Sequence, residues 1–387
     1  MNYDVIIIGG GMVGATLALT LSQSNLRVAL VDATPLKHLE DHRLIALNYD
    51  SVCFLSQLKL WDALADYAEA IQKVHVSDKG QFGKVCLQAS DLELPALGYV
   101  IPAKFINIAL NNASLNNTYD IFRPATLKTI SQTATQASAV ILADNVEKTL
   151  TANLIIAADG THSTVRDQLN IATETIDYKQ KALVTVTHLN RSHHHIAYER
   201  FQENGAIAML PLTEQRVATI WTDENKVIDD LMKLTDAEFL KTLQKQFGYR
   251  LGRLLKTELR LVYPLKMITA KEIIKERIVL IGNAAHTLSP IAAQGLNLAL
   301  AEISMLVKTI LQQLPLITTP NWDAYLVWQQ QQQNTSSQLT HRLTLVFSKK
   351  YSFLNLLRPI CMTGLDLNRP LKKRFAFLAM GKKNILF

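Results

Sequence analysis

The stretch VIIIGGGMVG, at Val5–Gly14, joins a β-branched apolar run to a cluster of glycines. An apolar run with no alternation is typical of a strand that is buried on both faces of a parallel sheet. The next residues, MVGATLALTLSQ, have the composition of a helix rich in small side chains, and RVALVDA reads as a second buried strand. Together they predict a βαβ unit, and therefore an α/β fold that begins with a Rossmann-like domain.

The glycines fit the spacing G-x-G-x-x-G, which is typical of dinucleotide binding. Gly9 permits a tight turn, Gly11 lets the backbone approach a pyrophosphate, and Gly14 lets the helix pack on the strand. The helix start supplies free N–H groups and the positive end of the helix dipole. An acidic residue 18 positions beyond Gly14 can accept both ribose hydroxyls, and it repels a 2′-phosphate. The residues expected to bind the dinucleotide here are Gly9, Gly11, Met12, Val13, Gly14 and Asp32.

Two later stretches repeat the pattern of a buried strand followed by a glycine turn. NLIIAADGTHS contains Asp159 and Gly160, and RIVLIGN ends in Gly282 and Asn283. The second stretch leads into an alanine- and leucine-rich helix, so it forms either a separate nucleotide site or the far half of the first. Since no second acidic ribose anchor follows it, we interpret it as the far half. Arg43, just after the first βαβ unit, either reaches the pyrophosphate or is an ordinary surface arginine.

In this order and spacing, the three motifs resemble the group A FAD-dependent aromatic monooxygenases, which have the para-hydroxybenzoate hydroxylase fold. The resemblance covers essentially the whole chain. Four segments, VHVSDKG, ERFQENGAIAMLPL, FGYRLG and GNAAHTLSPIAAQGLNLAL, are most similar to the ubiquinone-biosynthesis hydroxylases, in particular to the branch of 2-polyprenyl-6-methoxyphenol hydroxylases. The resemblance implies one FAD per chain, NAD(P)H as co-substrate, and hydroxylation of a polyprenyl phenol by dioxygen through a flavin hydroperoxide. The alternatives are another ring position, another aromatic compound, or a non-catalytic FAD-binding scaffold in a ubiquinone-biosynthesis complex.

The resemblance also implies roles for individual residues. The first glycine motif and Asp32 would bind the ADP half of FAD, with Arg43 near its pyrophosphate, while the Asp-Gly pair would support FAD and meet NAD(P)H. Asn283 stands where the family usually has Asp; it keeps a carbonyl acceptor for the ribityl chain but loses a charge, which changes FAD affinity by about 1 kcal/mol. Pro290 would receive a hydrogen bond from the substrate phenol through its carbonyl. The later cofactor-binding residues are Asp159, Gly160, Gly282, Asn283, Gly295, Leu296 and Asn297.

The pattern of strands and helices predicts an FAD-binding Rossmann-like domain with a β-rich substrate domain inserted and a helical C-terminal region. The FAD-binding domain covers residues 1–176 and 271–345, the substrate-binding domain 177–270, and a basic apolar tail 346–387. A hairpin turn is expected at Asp144-Asn145.

Several side chains suggest roles beyond cofactor binding. His286 is interpreted as a packed, hydrogen-bonded residue rather than an acid–base group, and His193–His195 as an exposed loop rather than a metal site. We therefore expect no metal. Six apolar residues of the inserted domain would together cover the flavin ring, although ordinary core is the favoured interpretation of each one taken singly: Tyr198, Phe201, Met209, Leu210, Pro211 and Trp221.

The net charge of +7 is concentrated at the C-terminus. From Arg342 onward, ten basic residues face only Asp366, which gives +9 and leaves 7 − 9 = −2 for the rest. This asymmetry argues against nucleic acid and favours contact of the tail with the inner face of the cytoplasmic membrane or with other ubiquinone-biosynthesis proteins; alternatively, the tail packs on its own body or on a partner subunit. We expect a cytoplasmic chain with free cysteines, no secretory signal and no membrane span.

Overall fold

The computed structural model describes residues 1–35, 41–115, 118–287, 294–316, 320–332 and 352–379. The strands are β1 (Asn2–Ile8), β2 (Val28–Val31), β3 (Leu44–Asn48), β4 (Glu69–Ile71), β5 (Lys73–Asp78), β6 (Lys84–Gln88), β7 (Gly98–Pro102), β8 (Asp120–Phe122), β9 (Ala125–Gln132), β10 (Ala137–Ala143), β11 (Val146–Ala157), β12 (Thr173–Leu189), β13 (Ile196–Phe201), β14 (Ala206–Leu212), β15 (Arg216–Glu224), β16 (Leu254–Thr257), β17 (Leu261–Ala270), β18 (Ile274–Lys275), β19 (Ile278–Leu280) and β20 (His286–Thr287). The helices are α1 (Met12–Leu21), α2 (Tyr49–Gln57), α3 (Ala103–Ser114), α4 (Thr164–Gln168), α5 (Asn225–Lys233), α6 (Asp236–Phe247), α7 (Gln294–Leu311), α8 (residues 323–332), α9 (Ser352–Leu367) and α10 (Arg369–Ala379).

The first sheet, called the Rossmann sheet below, has the strand order β18-β19-β11-β1-β2-β8. Strands β19, β11, β1, β2 and β8 run parallel, and in their register Ile7 lies between Leu30 and Ile156. Strands β10 and β9 extend from β11 as an antiparallel meander. Its hairpin turn has positive φ angles of 53° at Asp144 and 62° at Asn145, which confirms the turn predicted there. Because parallel strands end at the same edge, the turns after β1, β2, β11 and β19 all meet at one edge of this sheet.

The second sheet, called the cover sheet, has the order β20-β17-β12-β15-β14-β13-β5-β6, with β16 beside β12. Its pairs are antiparallel except for β13 and β5, which are parallel. The hairpin β5–β6 lies within the predicted span 1–176 and β20 within 271–345, so both predicted FAD-binding segments contribute strands to the cover sheet. Pairing between strands so far apart in sequence leaves no local signal. A small third sheet has the order β3-β7-β4.

The two faces of the cover sheet have different neighbours. Helix α6, which begins with a capping box at Thr235 and Glu238, packs against one face through Phe239 and Phe247, both fully buried. The other face is turned towards the Rossmann domain. Alternation along each strand separates the two sets of side chains. Within the described ranges, no helix has both the length and the hydropathy needed to cross a membrane.

The described part of the C-terminal tail folds against the cover sheet. Helix α9 contacts β6, and the Cys86 N–H donates a hydrogen bond to Asp366 Oδ1 at 2.9 Å. Met362 of α9 and Ala376 of α10 are buried in the same apolar cluster as Leu87. Part of the tail therefore packs on its own body, which was one of the arrangements considered from the sequence.

Candidate active site

The first glycine turn leaves no room for a side chain at Gly9, Gly10 or Gly14; a Cβ on Gly10 would lie 2.6 Å from Asp32 Cβ. A Cβ on Gly14 would lie 1.8 Å from the carbonyl oxygen of Gly9, because α1 packs directly on the end of β1. Gly9 itself has a φ of +104°, and a Cβ there would lie 2.4 Å from the Ala158 oxygen. Gly11 is different, since a Cβ there would meet nothing within 4 Å. The turn is therefore closed towards the sheet and open at the first N–H groups of α1.

These N–H groups face a cavity of about 2350 Å³ between the Rossmann domain and the cover sheet. Drug-sized ligands occupy pockets of about 300–1,000 Å³, so this cavity has room for a dinucleotide together with a substrate. Pro290 lies outside the described residues. Predicted residues from distant parts of the sequence line the Rossmann side of the cavity: Gly11, Met12, Val13, Arg43, Asp159, Gly160, Asn283, Gly295, Leu296 and Asn297.

Asp32 lies at the end of β2 and is paired with an arginine that the sequence analysis did not identify. Arg123 Nη2 is 2.7 Å from Asp32 Oδ2, and its guanidinium also donates to the Gly10 oxygen and to Asn111 Oδ1 at 3.1 and 2.9 Å. The Thr34 N–H donates to Asp32 Oδ1 at 3.1 Å. In the sequence, Arg123 could have been recognised by its position before Pro124 and directly after β8, the strand that pairs with β2. Arg123 thus places a positive charge beside the glycine turn, where phosphate is expected.

The Asp-Gly turn carries a carboxyl group with one free oxygen. Asp159 Oδ2 accepts a hydrogen bond from the Val165 N–H at 3.1 Å, whereas the buried Oδ1 has no hydrogen-bond partner among the residues that the structure describes. Burial raises the pKa of Asp159 despite hydrogen bonds that lower it. Arg166 is buried beneath this turn and donates to the oxygens of Thr161 and Ala284 at 2.9 and 3.1 Å. It therefore ties the Asp-Gly turn to the turn after β19.

The turn after β19 is held by a buried glutamate on α7. The carboxylate of Glu302 accepts the Gly282 N–H at 2.9 Å and lies 3.2 Å from His286 Nε2, and the Tyr325 hydroxyl donates to its other oxygen at 3.2 Å. Burial acts to lower the pKa of His286, but the charge and hydrogen bond of Glu302 outweigh it, so the pKa is raised. His286 is thus packed and hydrogen-bonded, as expected. The sequence analysis did not identify Glu302. It could have been found as the one acidic residue in the apolar pattern of α7.

Asn283, which follows the Gly282 turn held by Glu302, lies at the cavity. Asn283 is exposed and lines the cavity, while Gly282 forms the turn behind it.

Asn297 uses its side chain inside the protein: its Oδ1 accepts from the Asn48 N–H at 2.9 Å and the Ser51 hydroxyl at 2.7 Å, and its Nδ2 donates to the Ala46 oxygen at 2.8 Å. The Asn297 side chain, in the first turn of α7, is therefore engaged within the protein. Its side chain fixes α7 against β3 and α2.

Arg43 lies at the mouth of the Rossmann wall. Its guanidinium forms a salt bridge of 2.6 Å with Asp41, and 54% of its side chain is exposed. Arg43 is at the surface and also lines the cavity. Its position is therefore compatible both with an ordinary surface arginine and with a contact to the pyrophosphate.

The residues on this wall fit the FAD that the resemblance implies. Asp159 Oδ1 can accept a hydroxyl hydrogen bond, Asn283 is exposed and lines the cavity, and Gly11, Met12 and Val13 at the start of α1 line it as well. Unpaired buried acceptors are rare in folded proteins, and a hydroxyl group of bound FAD would supply the missing partner.

The six residues expected as cover over the flavin ring divide between the cavity and the core, and core was the favoured interpretation of each one. Phe201 and Leu210 line the cavity, but Met209 and Trp221 lie on the opposite face of the cover sheet, in the cluster that packs on α6. The Trp221 ring lies 6.4 Å from that of Phe239. Alternation along each strand explains the difference, because neighbouring residues cannot both face the cavity.

Of the three adjacent histidines, His194 and His195 are exposed as expected and His193 is not. His193 is buried rather than exposed; its Nε2 lies 2.8 Å from the Leu212 oxygen, and its Nδ1 accepts the His195 N–H at 3.1 Å. Glu69, distant in sequence, brings a carboxylate to 2.5 Å from His195 Nδ1. The ligand atoms of Glu69, His193 and His195 lie within 4.8 Å of one another. Since both nitrogens of His193 contact backbone groups, hydrogen bonding accounts for this cluster.

Comparison with known proteins places these features in a family. The family model described as FAD binding domain matches residues 2–315. The ubiquinone hydroxylase UbiL of Rhodospirillum rubrum is 28% identical over 98% of this chain and 89% of that protein. The ubiquinone hydroxylase UbiM of Neisseria meningitidis is 31% identical over 81% of this chain and 69% of that protein. The crystal structure of p-nitrophenol 4-monooxygenase PnpA from Pseudomonas putida has the same fold, with a TM-score of 0.79 and 16% identity over 99% of this chain and 100% of that one.

Proposed function

This chain belongs to the FAD binding domain family, and on that premise we propose that it hydroxylates the aromatic ring of a polyprenyl phenol. It is an FAD-dependent hydroxylase of the group that acts in ubiquinone biosynthesis. The proposal adds the substrate, the electron donor NAD(P)H and the oxidant dioxygen. Among polyprenyl phenols, the four segments noted above favour a 2-polyprenyl-6-methoxyphenol.

One observation carries the proposal: a single cavity joins the polar Rossmann wall to an apolar wall. Val74, Leu87 and Leu210 of the cover sheet line it, and the tail helices add Met362 and Phe375. Burying an isoprenoid chain against such side chains stabilises binding by about 0.8 kcal/mol for each CH₂ group. The cavity can therefore hold a polar cofactor at one side and a lipophilic ring with its prenyl chain at the other.

When bound, FAD would accept a hydride from NAD(P)H and supply dioxygen chemistry that transfers one oxygen atom to the ring. The chain itself would position and protect the reaction. The first N–H groups of α7, at Gln294 and Gly295, provide the positive end of a long helix beside the cavity. The apolar cover sheet excludes water from the ring, which prevents loss of the activated oxygen to solvent.

We also propose that the tail brings the enzyme to an anionic membrane surface, where such a substrate is dissolved. At the corner between α9 and α10, Leu367 is 78% exposed and Leu371 is 51% exposed. Arg369, Lys373 and Arg374 are exposed beside them. Basic residues near an anionic leaflet contribute about 1 kcal/mol each. Other ubiquinone-biosynthesis proteins are the competing partner for this surface.

A vesicle assay tests the membrane contact. The variant Lys373→Glu/Arg374→Glu should bind phosphatidylglycerol vesicles at least about tenfold more weakly than the wild type, because two cations are replaced by anions. The variant Lys241→Glu, on α6, is the matched control and should bind as the wild type does. Equal binding of all three proteins would exclude the membrane contact through this corner.

A steady-state assay tests the proposed reaction. The FAD-loaded protein is mixed with NADH or NADPH in air, with and without 2-geranylphenol, a phenol with a short prenyl chain. We expect the phenol to accelerate NAD(P)H oxidation and a hydroxylated product to accumulate in step with it. If the rate of NAD(P)H oxidation is the same with and without this phenol and no product forms, the result would instead support a non-catalytic FAD-binding scaffold.

A further inference from the structure

Glu199 places a carboxyl group among aliphatic side chains in the cover-sheet wall of the cavity. Glu199 lies on β13, and the strand register places it in a row of residues that crosses the cover sheet. Every member of this row lines the cavity, and every member except Glu199 is aliphatic: Val85, Val76, Glu199, Ala208, Ile220 and Val184. The carboxyl group therefore stands at the centre of the wall, with apolar side chains on both sides.

The neighbours of Glu199 along β13 face away from it. The Tyr198 ring packs edge-on against Phe247 at 5.7 Å, and Arg200 Nε donates to the Gln246 oxygen at 3.2 Å, both on the α6 side of the sheet. Within the described part of the chain, Glu199 has no hydrogen bond or ion pair with the protein. Its partly accessible carboxyl group opens into the cavity. A polar group in an apolar wall is costly unless a ligand binds it.

Other ionisable side chains line the cavity elsewhere. Tyr178, Lys179, Tyr263 and Lys266 come from β12 and β17, which lie at least three strands away from β13 in the cover sheet. Glu203 lies in the β13–β14 turn, and Glu224 and Lys226 lie at the end of β15 and the start of α5. Asp159 and Arg43 belong to the Rossmann wall, where FAD is expected. Burial among the aliphatic side chains of its row raises the pKa of Glu199 to about 7. A carboxyl group with such a pKa can both release and accept a proton near neutral pH.

We propose that Glu199 binds the hydroxyl group of the phenol substrate and removes its proton. The inference rests on the proposed function, because it requires a phenol in this cavity. The phenol O–H bond breaks, the proton moves to a carboxylate oxygen of Glu199, and the electron pair stays on the phenolate oxygen. The phenolate ring is more electron-rich than the phenol, so it is attacked more readily by an electrophilic oxygen. Glu199 is thus a catalytic residue that also fixes the orientation of the ring.

Two variants separate its two roles. Glu199→Gln keeps a hydrogen-bond acceptor but cannot take a proton, whereas Glu199→Leu removes both functions and matches the aliphatic row. Glu174→Gln, at an exposed position of β12 in the same sheet, is the control for loss of a carboxylate. All proteins are used with FAD bound, and FAD content and thermal midpoint confirm that each variant folds.

The first readout is binding, followed by the change in flavin absorbance. The probes are 2-geranylphenol and its O-methyl ether, which lacks the proton. The wild type and the Glu174→Gln control should bind the phenol about tenfold or more tighter than the ether, and Glu199→Leu should lose that preference. A wild type that binds both probes equally, or a Glu199→Leu variant that keeps the preference, would overturn the proposal.

The second readout is the pH dependence of hydroxylation. In the wild type, kcat/KM should rise with pH with a midpoint near the pKa of Glu199, about 7. Glu199→Gln should react about 100-fold more slowly, without that rise. An unchanged profile in Glu199→Gln would overturn the proton-transfer role. If the wild type binds the phenol but never oxygenates it, the proposed function fails, and the phenol-to-ether ratio alone then decides the role of Glu199.

Discussion

The two walls of the cavity are built on opposite physical principles. The Rossmann wall is formed by turns whose backbone N–H groups point inward, held from behind by Arg166 and Glu302. The cover wall is a sheet that presents side chains, and its central row is aliphatic except for Glu199. Backbone groups suit a large polar cofactor that every family member shares, whereas side chains can change without altering the fold. The comparison suggests that the Rossmann wall provides the chemistry and the cover wall selects the substrate.

The largest effect on FAD content should follow from closing the glycine turn of the Rossmann wall. In Gly14→Ala the added methyl group would lie 1.8 Å from the Gly9 oxygen, so α1 must move away from β1. Overpacking of this kind costs about 1–3 kcal/mol and here also displaces the pyrophosphate site. We expect the purified variant to contain less than about a tenth of the wild-type FAD. Gly364→Ala on α9, where a Cβ meets nothing within 4 Å, should keep its FAD. Full FAD content in Gly14→Ala would contradict this picture of the wall.

A second variant removes the support behind the same wall. Glu302→Gln leaves His286 without its counter-charge in a buried site, and breaking such a pair costs about 3–5 kcal/mol. The urea midpoint of the apoprotein should fall accordingly, and FAD should bind more weakly because the Gly282 turn loosens. The double variant His286→Gln/Glu302→Gln should recover much of the loss, since no buried charge remains. A double variant as unstable as Glu302→Gln would show that the ion pair is not what supports the turn.

In the cover wall, Glu199 should make the free energy of unfolding depend on pH. Burial raises the folded-state pKa of Glu199 from 4.5 to about 7, so the folded protein resists ionisation of this group. The wild-type free energy of unfolding should therefore fall as pH rises from about 4.5 to about 7. Glu199→Gln does not titrate, so it should be more stable than the wild type above pH 7 by on the order of 1 kcal/mol, since the half-buried carboxyl still meets solvent. Thermal midpoints at pH 5 and pH 8 check this, and an equal difference at both would contradict it.

The smallest effect is expected at the exposed amide of the Rossmann wall. Asn283→Asp introduces the residue that this position usually carries in the wider family, at a site open to the cavity. The dissociation constant for FAD should change by no more than about fivefold, corresponding to about 1 kcal/mol, and hydroxylation should persist. Loss of hydroxylation with FAD still bound would reveal a function for Asn283 that the comparison of walls does not include.

The Rossmann wall could be predicted from the sequence because its signals are local. Each turn follows a buried strand within a few residues, so Gly9, Asp159 and Gly282 could be located from spacing alone. The parallel register then brings them to one edge, as the strand pattern predicts. What the local pattern could not show was the support behind the turns. Arg123 and Glu302 reach the motifs from elements more than 15 residues away in sequence, through contacts that only the fold creates.

The cover wall was less accessible to prediction. Its strands could be recognised by composition, but which face of each strand meets the cavity depends on long-range register. That is why the sequence could not separate Met209 and Trp221, which lie on the α6 side, from the residues that line the cavity. The hairpin β5–β6 joins this sheet by pairing with β13 over more than 100 residues. Glu199 emerged as a site residue only when that register placed it among cavity-lining side chains.

Transfer of one oxygen atom from dioxygen to a prenylated phenol is the central claim, and a single-turnover reaction with isotopic oxygen tests it most directly. The FAD-loaded protein is reduced with NAD(P)H in the absence of air, mixed with 2-geranylphenol and dioxygen labelled with oxygen-18, and the products are analysed by mass spectrometry. The account predicts a hydroxylated phenol that carries one labelled oxygen atom. Reoxidised flavin with labelled hydrogen peroxide and unchanged phenol would contradict it.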